Sequence, residues 1–456
     1  MAITIEDNIL DSITPTHSDI LYVLTSNSSS NDNYSFVTQI RNTTNTLKGE
    51  FRTSPNQSGI GVFNLETFYR TKLENDPLFT DAFTNSDTFI TKYKMTFGEE
   101  WSDSPSGSIV MYNGIDDTVG IPAVSASLTP DPYNYFINGV LNRNEGTSFN
   151  WTDVTSYYNQ GTGAVASKFY LTDMPLVNVP IRSTDYFTIG VLNGNLESGS
   201  IIHNDIYRCT LEQYNANGAS TGGPISSTNV RNGGANSNAN SPRLNTNTNY
   251  NTISESIFDT YSNSRLTLIG MGFANSTTFT KQTNAVTYEA AVVGYQGGTT
   301  TITNTAIQFD ITDDDCVISD TYRLMWINDY GCFDFYNFDG QDKIAANRVD
   351  KQYKQTMINY GTDSVTDGYN VNRRGNKNYS TQRERSYTVT TKWLTQEWAD
   401  WMEGLFLSPS VYLLDGSIAY PVNLTTATYN KFTNNREEKM KMYSLGFKYS
   451  NSLRTI

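Results

Sequence analysis

The segments YTVTTKW (residues 387–393) and TQEWADWMEGLF (residues 395–406) decide the fold that the sequence predicts. In the first segment, every second residue from Tyr387 to Trp393 lies on one side of an extended chain. The second segment changes to the i, i+3, i+4, i+7 spacing of one helix face, whose members are Trp398, Trp401, Met402 and Leu405. A strand followed by an amphipathic helix is therefore predicted here.

The end of the chain supplies a cover for this helix. Thr395 is a suitable N-cap, and Pro409 disfavours continuation of the helix. The segment VYLLDGSIAYPVNL (residues 411–424) places the turn signal Asp-Gly between two short strands, and MYSLGFKYS (residues 442–450) alternates again. Because the helix must bury two tryptophans, we expect it to pack on a sheet formed by 387–393 and 442–449.

The composition is that of a folded, polar-coated β protein. Hydrophobic residues make up 37% and aromatic residues 13% of 456 residues, and Thr, Tyr, Val and Phe favour strands. The net charge of −14 argues against nucleic-acid binding. The most basic stretch is interpreted as a solvated loop; it contains Arg373, Arg374, Lys377, Arg383 and Arg385.

The cysteines and the first residues of the chain indicate the compartment in which the protein folds. Cys209, Cys316 and Cys332 are odd in number and form no CxxC motif, so neither a disulfide framework nor a zinc site is predicted. The start MAITIEDNIL has no signal-peptide pattern, and no apolar run approaches a membrane span. We therefore expect folding in a cytoplasm, without a cofactor and without membrane insertion.

The predicted fold is mainly β, with several β-sandwich domains and one amphipathic helix packed on a sheet in the C-terminal domain. Residues 1–120 are predicted to form an N-terminal β-sandwich. Residues 121–319 are predicted to form a middle β domain, interrupted by a long surface loop rich in Asn, Ser and Gly at 215–249. Residues 320–456 form the predicted C-terminal domain, with its helix at 395–407.

Catalytic motifs are absent from the sequence. It has only two histidines, His17 and His203, and no GxSxG, HExxH or P-loop motif. Asp313, Asp314 and Asp315 with Asp320 are oxygen donors for a hard cation, but they lack the spacing of a calcium loop, and a solvated turn is the preferred interpretation. A pair of carboxylates for glycoside hydrolysis stays open, because such pairs leave no local spacing. The chain is expected not to be an enzyme.

The most informative cluster is aromatic. The segment RLMWINDYGCFDFYNF (residues 323–338) predicts two strands around a turn at 329–331, with both faces apolar. Such rings can stack on sugars, but core and interface packing is the preferred interpretation. The candidate interface or structural residues are Trp326, Tyr330, Phe333, Phe335, Tyr336, Phe338, Trp398 and Trp401. Phe335 is expected to face outward, where a charge substitution would dissociate an assembly and leave each subunit folded.

These residues carry a resemblance to a known group of proteins. The segment 323–338 resembles the hairpin "RL.FLNR.GGFDYYNF" of tail-associated structural proteins in phages of marine and gut bacteria, especially Bacteroidetes. Residues 395–449 resemble the end of the same proteins, and the start of the chain is also similar. In strand order, the C-terminal part is similar to distal-tail and tail-tube modules. Cys332 stands where the pattern usually has Gly, and Asp329 where it often has Arg.

The resemblance implies a structural component of a bacteriophage virion, in the tail or baseplate, assembled in the host bacterial cytoplasm. Its expected partners are other virion proteins and further copies of the same chain, in a ring or trimer. The alternative is a receptor-binding or carbohydrate-binding tail-fibre module, which would contact a host surface glycan. A tail-associated glycosidase is the third hypothesis.

Overall fold

The structure is a computed structural model. It describes residues 3–8, 13–17, 19–42, 45–73, 83–85, 90–102, 104–113, 134–139, 170–192, 205–228, 266–275, 279–296, 300–303, 306–313, 321–354, 375–426 and 442–450. These residues are mainly β, as the sequence predicts.

The strands up to residue 311 are β1 Ile3–Asn8, β2 Ile13–Pro15, β3 Leu21–Ser26, β4 Asp32–Arg41, β5 Leu47–Thr53, β6 Ile60–Asn64, β7 Phe83–Asn85, β8 Ile90–Ser102, β9 Val110–Asn113, β10 Asn134–Ile137, β11 Val179–Ile181, β12 Thr188–Leu192, β13 Asp205–Asn215, β14 Ile225–Thr228, β15 Leu266–Gly270, β16 Ala285–Gln296, β17 Thr300–Thr303 and β18 Ile307–Ile311. The later strands are β19 Tyr322–Ile327, β20 Phe333–Phe338, β21 Lys343–Lys354, β22 Asn376–Thr390, β23 Val411–Asp415, β24 Ile418–Leu424 and β25 Ser444–Tyr449. The helices are α1 Glu66–Arg70 and α2 Gln396–Leu407, with a 3-10 turn at Phe273–Asn275. The short helix α1 was not predicted from the sequence.

The chain divides into two compact units. The first comprises residues 1–315, 326–335 and 407–409, and the second comprises 316–325, 336–406 and 410–456.

The N-terminal part of the first unit is a β-sandwich. A sheet of order β1-β3-β6 faces a sheet of order β2-β10-β8-β4-β5, with β9 paired to β8. Alternating apolar residues from both sheets fill the space between them, and the Tyr22 and Phe97 rings lie 5.4 Å apart. Burial of such rings is the main stabilising contribution in a sandwich.

Two sheets cross the predicted domain boundary at residue 120. Strand β10, which follows that boundary, pairs with β8 and β2, and strand β7, which precedes it, pairs with β15. Residues 1–120 and 121–319 are therefore not separate sandwiches. The strand alternation located the strands, but it carries no information on which distant strand is the neighbour.

A second pair of sheets also lies in the first unit. Their orders are β11-β18-β16-β13-β14, with β17 paired to β16, and β12-β15-β7. The rings of Phe187 and Phe309 pack between them at 5.0 Å, and the Tyr288 hydroxyl donates to the Met271 carbonyl at 2.9 Å.

The predicted loop 215–249 is partly wrong. Ile225–Thr228 forms strand β14, which pairs with β13 through a turn at 215–221. The Ser and Thr of β14 gave no apolar alternation by which to find it. Residues 229–249 lie outside the described residues.

The C-terminal strands form one seven-stranded sheet of order β20-β19-β23-β24-β25-β22-β21. The predicted order of strand, helix, hairpin and strand is confirmed, and the hairpin turns at Gly416 with a φ of 58°. Three strands separate β19 from β22, yet the rings of Tyr322 and Tyr387 lie 5.9 Å apart. A flat sheet would separate them by roughly 19 Å. The sheet therefore curves strongly around an aromatic interior.

Helix α2 follows its predicted span and buries Trp401, Met402 and Leu405, while Trp398 is half-buried. Both tryptophan rings contact Tyr336 of β20, at 6.1 and 6.3 Å. The tryptophan rings of the helix therefore contact β20, which lies at the opposite end of the sheet from β22, one of the strands on which we expected the helix to pack. The strand predicted at 387–393 ends earlier than expected: β22 ends at Thr390, and the Trp393 side chain beyond it is 61% exposed.

Replacing Trp401 by Ala should lower the free energy of unfolding by about 3–5 kcal/mol, because a buried ring leaves a cavity. The matched control is Trp393→Ala, which removes an exposed ring and should change stability by no more than about 0.5 kcal/mol. Urea denaturation followed by far-UV circular dichroism measures both variants. Equal stability of the two variants would contradict the packing described for α2.

Candidate assembly site

The aromatic hairpin β19–β20 is buried. Seven of the eight candidate residues are 6% exposed or less, and Trp398 is half-buried; the seven are Trp326, Tyr330, Phe333, Phe335, Tyr336, Phe338 and Trp401. Phe335 packs 5.5 Å from Phe187, so the expectation that it faces outward is wrong. An aspartate there would unfold the subunit before it could report on assembly. Because these rings are buried, they do not form a surface on which sugars can stack.

The turn of this hairpin is organised by the Asn328 side chain. Its amide nitrogen donates to the Leu171 carbonyl at 2.8 Å and to Oδ1 of Asp334 at 3.0 Å. Its oxygen accepts from the backbone N–H groups of Tyr330 and Cys332, both at 3.0 Å. One buried carboxamide thus uses both donors and satisfies two turn N–H groups, as a polar group in a dry interior must.

The segment 171–174 is held to the same turn by charged partners. The Thr172 hydroxyl donates to Oδ1 of Asp334 at 2.8 Å and accepts from the Met174 N–H at 3.0 Å. The Tyr330 hydroxyl lies 2.9 Å from both carboxylate oxygens of Asp173. Burial, together with the Asp173 charge, raises the pKa of Tyr330 far above its ordinary value. Tyr330 therefore remains a neutral donor.

Two glycines allow this close packing. Gly331 has a φ of 76°, and a Cβ there would lie 2.8 Å from the Asn138 carbonyl carbon. At Gly190 a Cβ would collide with the Cys332 sulfur. Cys332, which departs from the phage-protein pattern, fits because residue 190 is a glycine.

The network residues were missed by the sequence reasoning. The signal that could have found them is a polar residue among apolar neighbours. Asn328 and Asp334 are such residues within the segment 323–338. A buried polar residue of that kind has to find hydrogen-bond partners, but the sequence does not show that they lie in 171–174.

The second unit contains a different, exposed feature. We define the arm as the paired residues 346–354 of β21 and 376–385 of β22. Strand β22 pairs with β25 only from Ser386 to Thr390, so within the described strands the arm is a two-stranded ribbon. None of its described side chains is buried. Tyr353 is 44% and Tyr379 65% exposed, and their rings lie 6.3 Å apart.

The arm corrects the interpretation of the basic run. Lys377, Arg383 and Arg385 lie in strand β22 and not in a loop. Arg373 and Arg374 lie outside the described residues.

The concave face of the seven-stranded sheet ends in exposed apolar side chains. Register places Ile344 beside Tyr387, and Tyr420 lies on the same face with its ring 5.8 Å from that of Tyr449. Ile344, Ile418 and Tyr420 are each at least one-third exposed. We call Ile344, Ile418 and Tyr420 the apolar rim. Of these three residues, only Ile344 lies next to the base of the arm, because it belongs to the arm strand β21.

Two of the described carboxylates, Glu99 and Asp313, have structural partners. Glu99 is fully buried and accepts from the Ser26 hydroxyl at 2.5 Å and the Tyr34 hydroxyl at 2.7 Å. Asp313 accepts from the Ser183 N–H at 2.7 Å and pairs with Lys281 at 3.2 Å. The other aspartates of that run, Asp314, Asp315 and Asp320, lie outside the described residues, as do His203 and Cys316. Among the residues that the structure does describe, no three His, Cys, Asp or Glu side chains cluster as metal ligands.

No protein-family model matches the chain, and no curated protein is significantly similar to it. Across the described ranges, no helix combines the length and apolar character that a membrane crossing requires.

Replacing Asn328 by Ala should lower the free energy of unfolding by roughly 2–4 kcal/mol, because two turn N–H groups lose their acceptor inside the protein. Asn347→Ala is the matched control, since Asn347 is exposed on the arm. Thermal and urea unfolding of both variants measures the difference. A loss no larger than that of the control would show that the turn forms without the carboxamide.

His17 should make the protein less stable in mild acid. Burial lowers the pKa of His17 below 6.5, although the Asn138 oxygen, 3.0 Å from Nε2, acts in the opposite direction. As the pH falls through the unfolded-state pKa of about 6.5, the unfolded chain takes up a proton that the folded chain does not, so stability falls until the folded pKa is reached. The melting temperature of His17→Gln should fall less than that of the parent protein over this window. Parallel pH profiles would contradict the assignment.

Proposed function

We propose that this chain is a non-catalytic structural component of a bacteriophage virion, in the tail or baseplate. Its subunits associate through the C-terminal sheet and its arm, and they carry other tail proteins.

The tail assignment is supported by the resemblance in residues 323–338 and 395–449. In agreement with it, those residues form a tight hairpin and one continuous arrangement of strand, helix, hairpin and strand within a single sheet. Order of elements alone supports a fold and not a function.

The arm is the observation that carries the assembly part of the proposal. A two-stranded ribbon without buried side chains is marginally stable in water, because pairing alone does not offset the lost conformational entropy. Its exposed tyrosines and the apolar rim provide the kind of surface that subunit interfaces bury. Virion proteins meet this condition, since their interfaces form during assembly.

The fibre-module alternative keeps one supporting observation. The hairpin rings are buried, but Trp393 and Tyr379 are more than 60% exposed, and exposed rings of this kind can stack on sugars. Loss of glycan binding on replacing Trp393 by Ala, with assembly unchanged, would favour that alternative.

The proposal is tested on particles of the virus that encodes the chain. An antibody against the purified protein should label the tail or baseplate in immunogold electron microscopy, and the purified protein should release no sugar from host envelope polysaccharide. Absence of the protein from purified particles, or measurable sugar release, would contradict the proposal.

A further inference from the structure

Among the described strands, the arm consists of two strand segments that pair only with each other. Strand β21 is the last strand in the sheet order, and among the described strands it pairs only with β22. Arg348 and Asp350 form an ion pair at 2.9 Å, but the Arg348 side chain is 66% exposed, so this pair contributes little. Within the described part of the chain, the outer edge of β21 therefore has no strand partner, and the described side chains on the arm are exposed or half-exposed.

Charge is segregated between this segment and the rest of the chain. Residues 343–386 contain nine lysines and arginines and four aspartates and glutamates, a net charge of +5. Because the whole chain carries −14, the remaining 412 residues carry −19. Lys351, Lys354, Lys377 and Arg385 are exposed on the arm. The arm is therefore a basic, tyrosine-bearing projection on an acidic protein.

We infer that the arm docks on the acidic surface of a second copy of this chain. This inference rests on the proposed function, because it names the partner through which the subunits associate. A second copy always offers the complementary charge at the same concentration as the arm. Opposite potentials accelerate such association and set its register. An arm of one subunit on the body of the next is a heterologous contact, which closes into a ring when the rotation allows it.

The arm can be removed at a paired position of its two strands. Ala346 pairs with Arg385, so replacing residues 347–384 by Asn-Gly closes a two-residue hairpin at that pair. Because the described side chains of the arm are not buried, this shortened chain should unfold at nearly the parent temperature. Charge is tested separately in Lys354→Glu/Lys377→Glu. Its control is Lys48→Glu/Lys72→Glu, which makes the same charge change at exposed lysines outside the arm.

Sedimentation equilibrium of the full chain and these variants measures self-association. The parent protein should associate, and added salt above about 0.15 M should weaken it by screening. The shortened chain should be monomeric, and the arm charge variant should show an apparent Kd raised about tenfold or more at low salt, with the control near the parent value.

Four outcomes would overturn the inference. A shortened chain that associates like the parent would remove the arm from the contact, and with it the arm's part in assembly; the virion assignment, which rests on the resemblance and is tested by immunogold labelling, would stand. A monomeric parent protein would exclude a second copy as the partner. Arm-dependent binding of heparin or an oligonucleotide by a monomeric parent would identify a polyanion instead. If the shortened chain fails to fold, equal association of the two charge variants would likewise remove the arm from the contact.

Discussion

The carboxamide of Asn328 is the group on which the structure around the β19–β20 hairpin depends. It lies in a hairpin whose other side chains are largely aromatic, and it satisfies the turn N–H groups and the Leu171 carbonyl together. In a medium of low dielectric constant, each of these polar groups would be costly without its partner. The same amide orients Asp334, which then accepts from Thr172. A turn in residues 328–332 is in this way tied to a segment more than 150 residues earlier in the chain.

The C-terminal sheet shows both extremes of burial. Near β25 its rings pack closely, as Tyr387 stacks on Phe447 at 5.3 Å, whereas the arm of the same β22 strand buries no described side chain. The strongly buried end can hold its geometry in an isolated subunit. The exposed end would gain stability if another surface covered it, and its basic charge would restrict what that surface can be. This difference along one strand is the physical basis for treating the arm as an assembly element.

The sequence was sufficient for those parts in which burial follows a local period. The strands of 387–450, the helix at 396–407 and the hairpin at 323–338 each carry a clear alternation or helical spacing. It was insufficient for pairing between distant strands, as in the case of β7 with β15. The arm strand NKNYSTQRER (residues 376–385) was also not predicted. A ribbon with two exposed faces has no apolar period, so its sequence resembles that of a loop. Phe335 shows the converse error, since hydrophobicity alone did not tell that its ring is covered.

A cryo-electron microscopy map of the assembled protein tests the central claim most directly. The account predicts a closed oligomer in which density for β21 and β22 lies on the acidic surface of a neighbouring subunit, while the hairpin of residues 323–338 is buried inside each subunit. Particles that contain a single chain, or an oligomer whose arms extend into solvent, would contradict it.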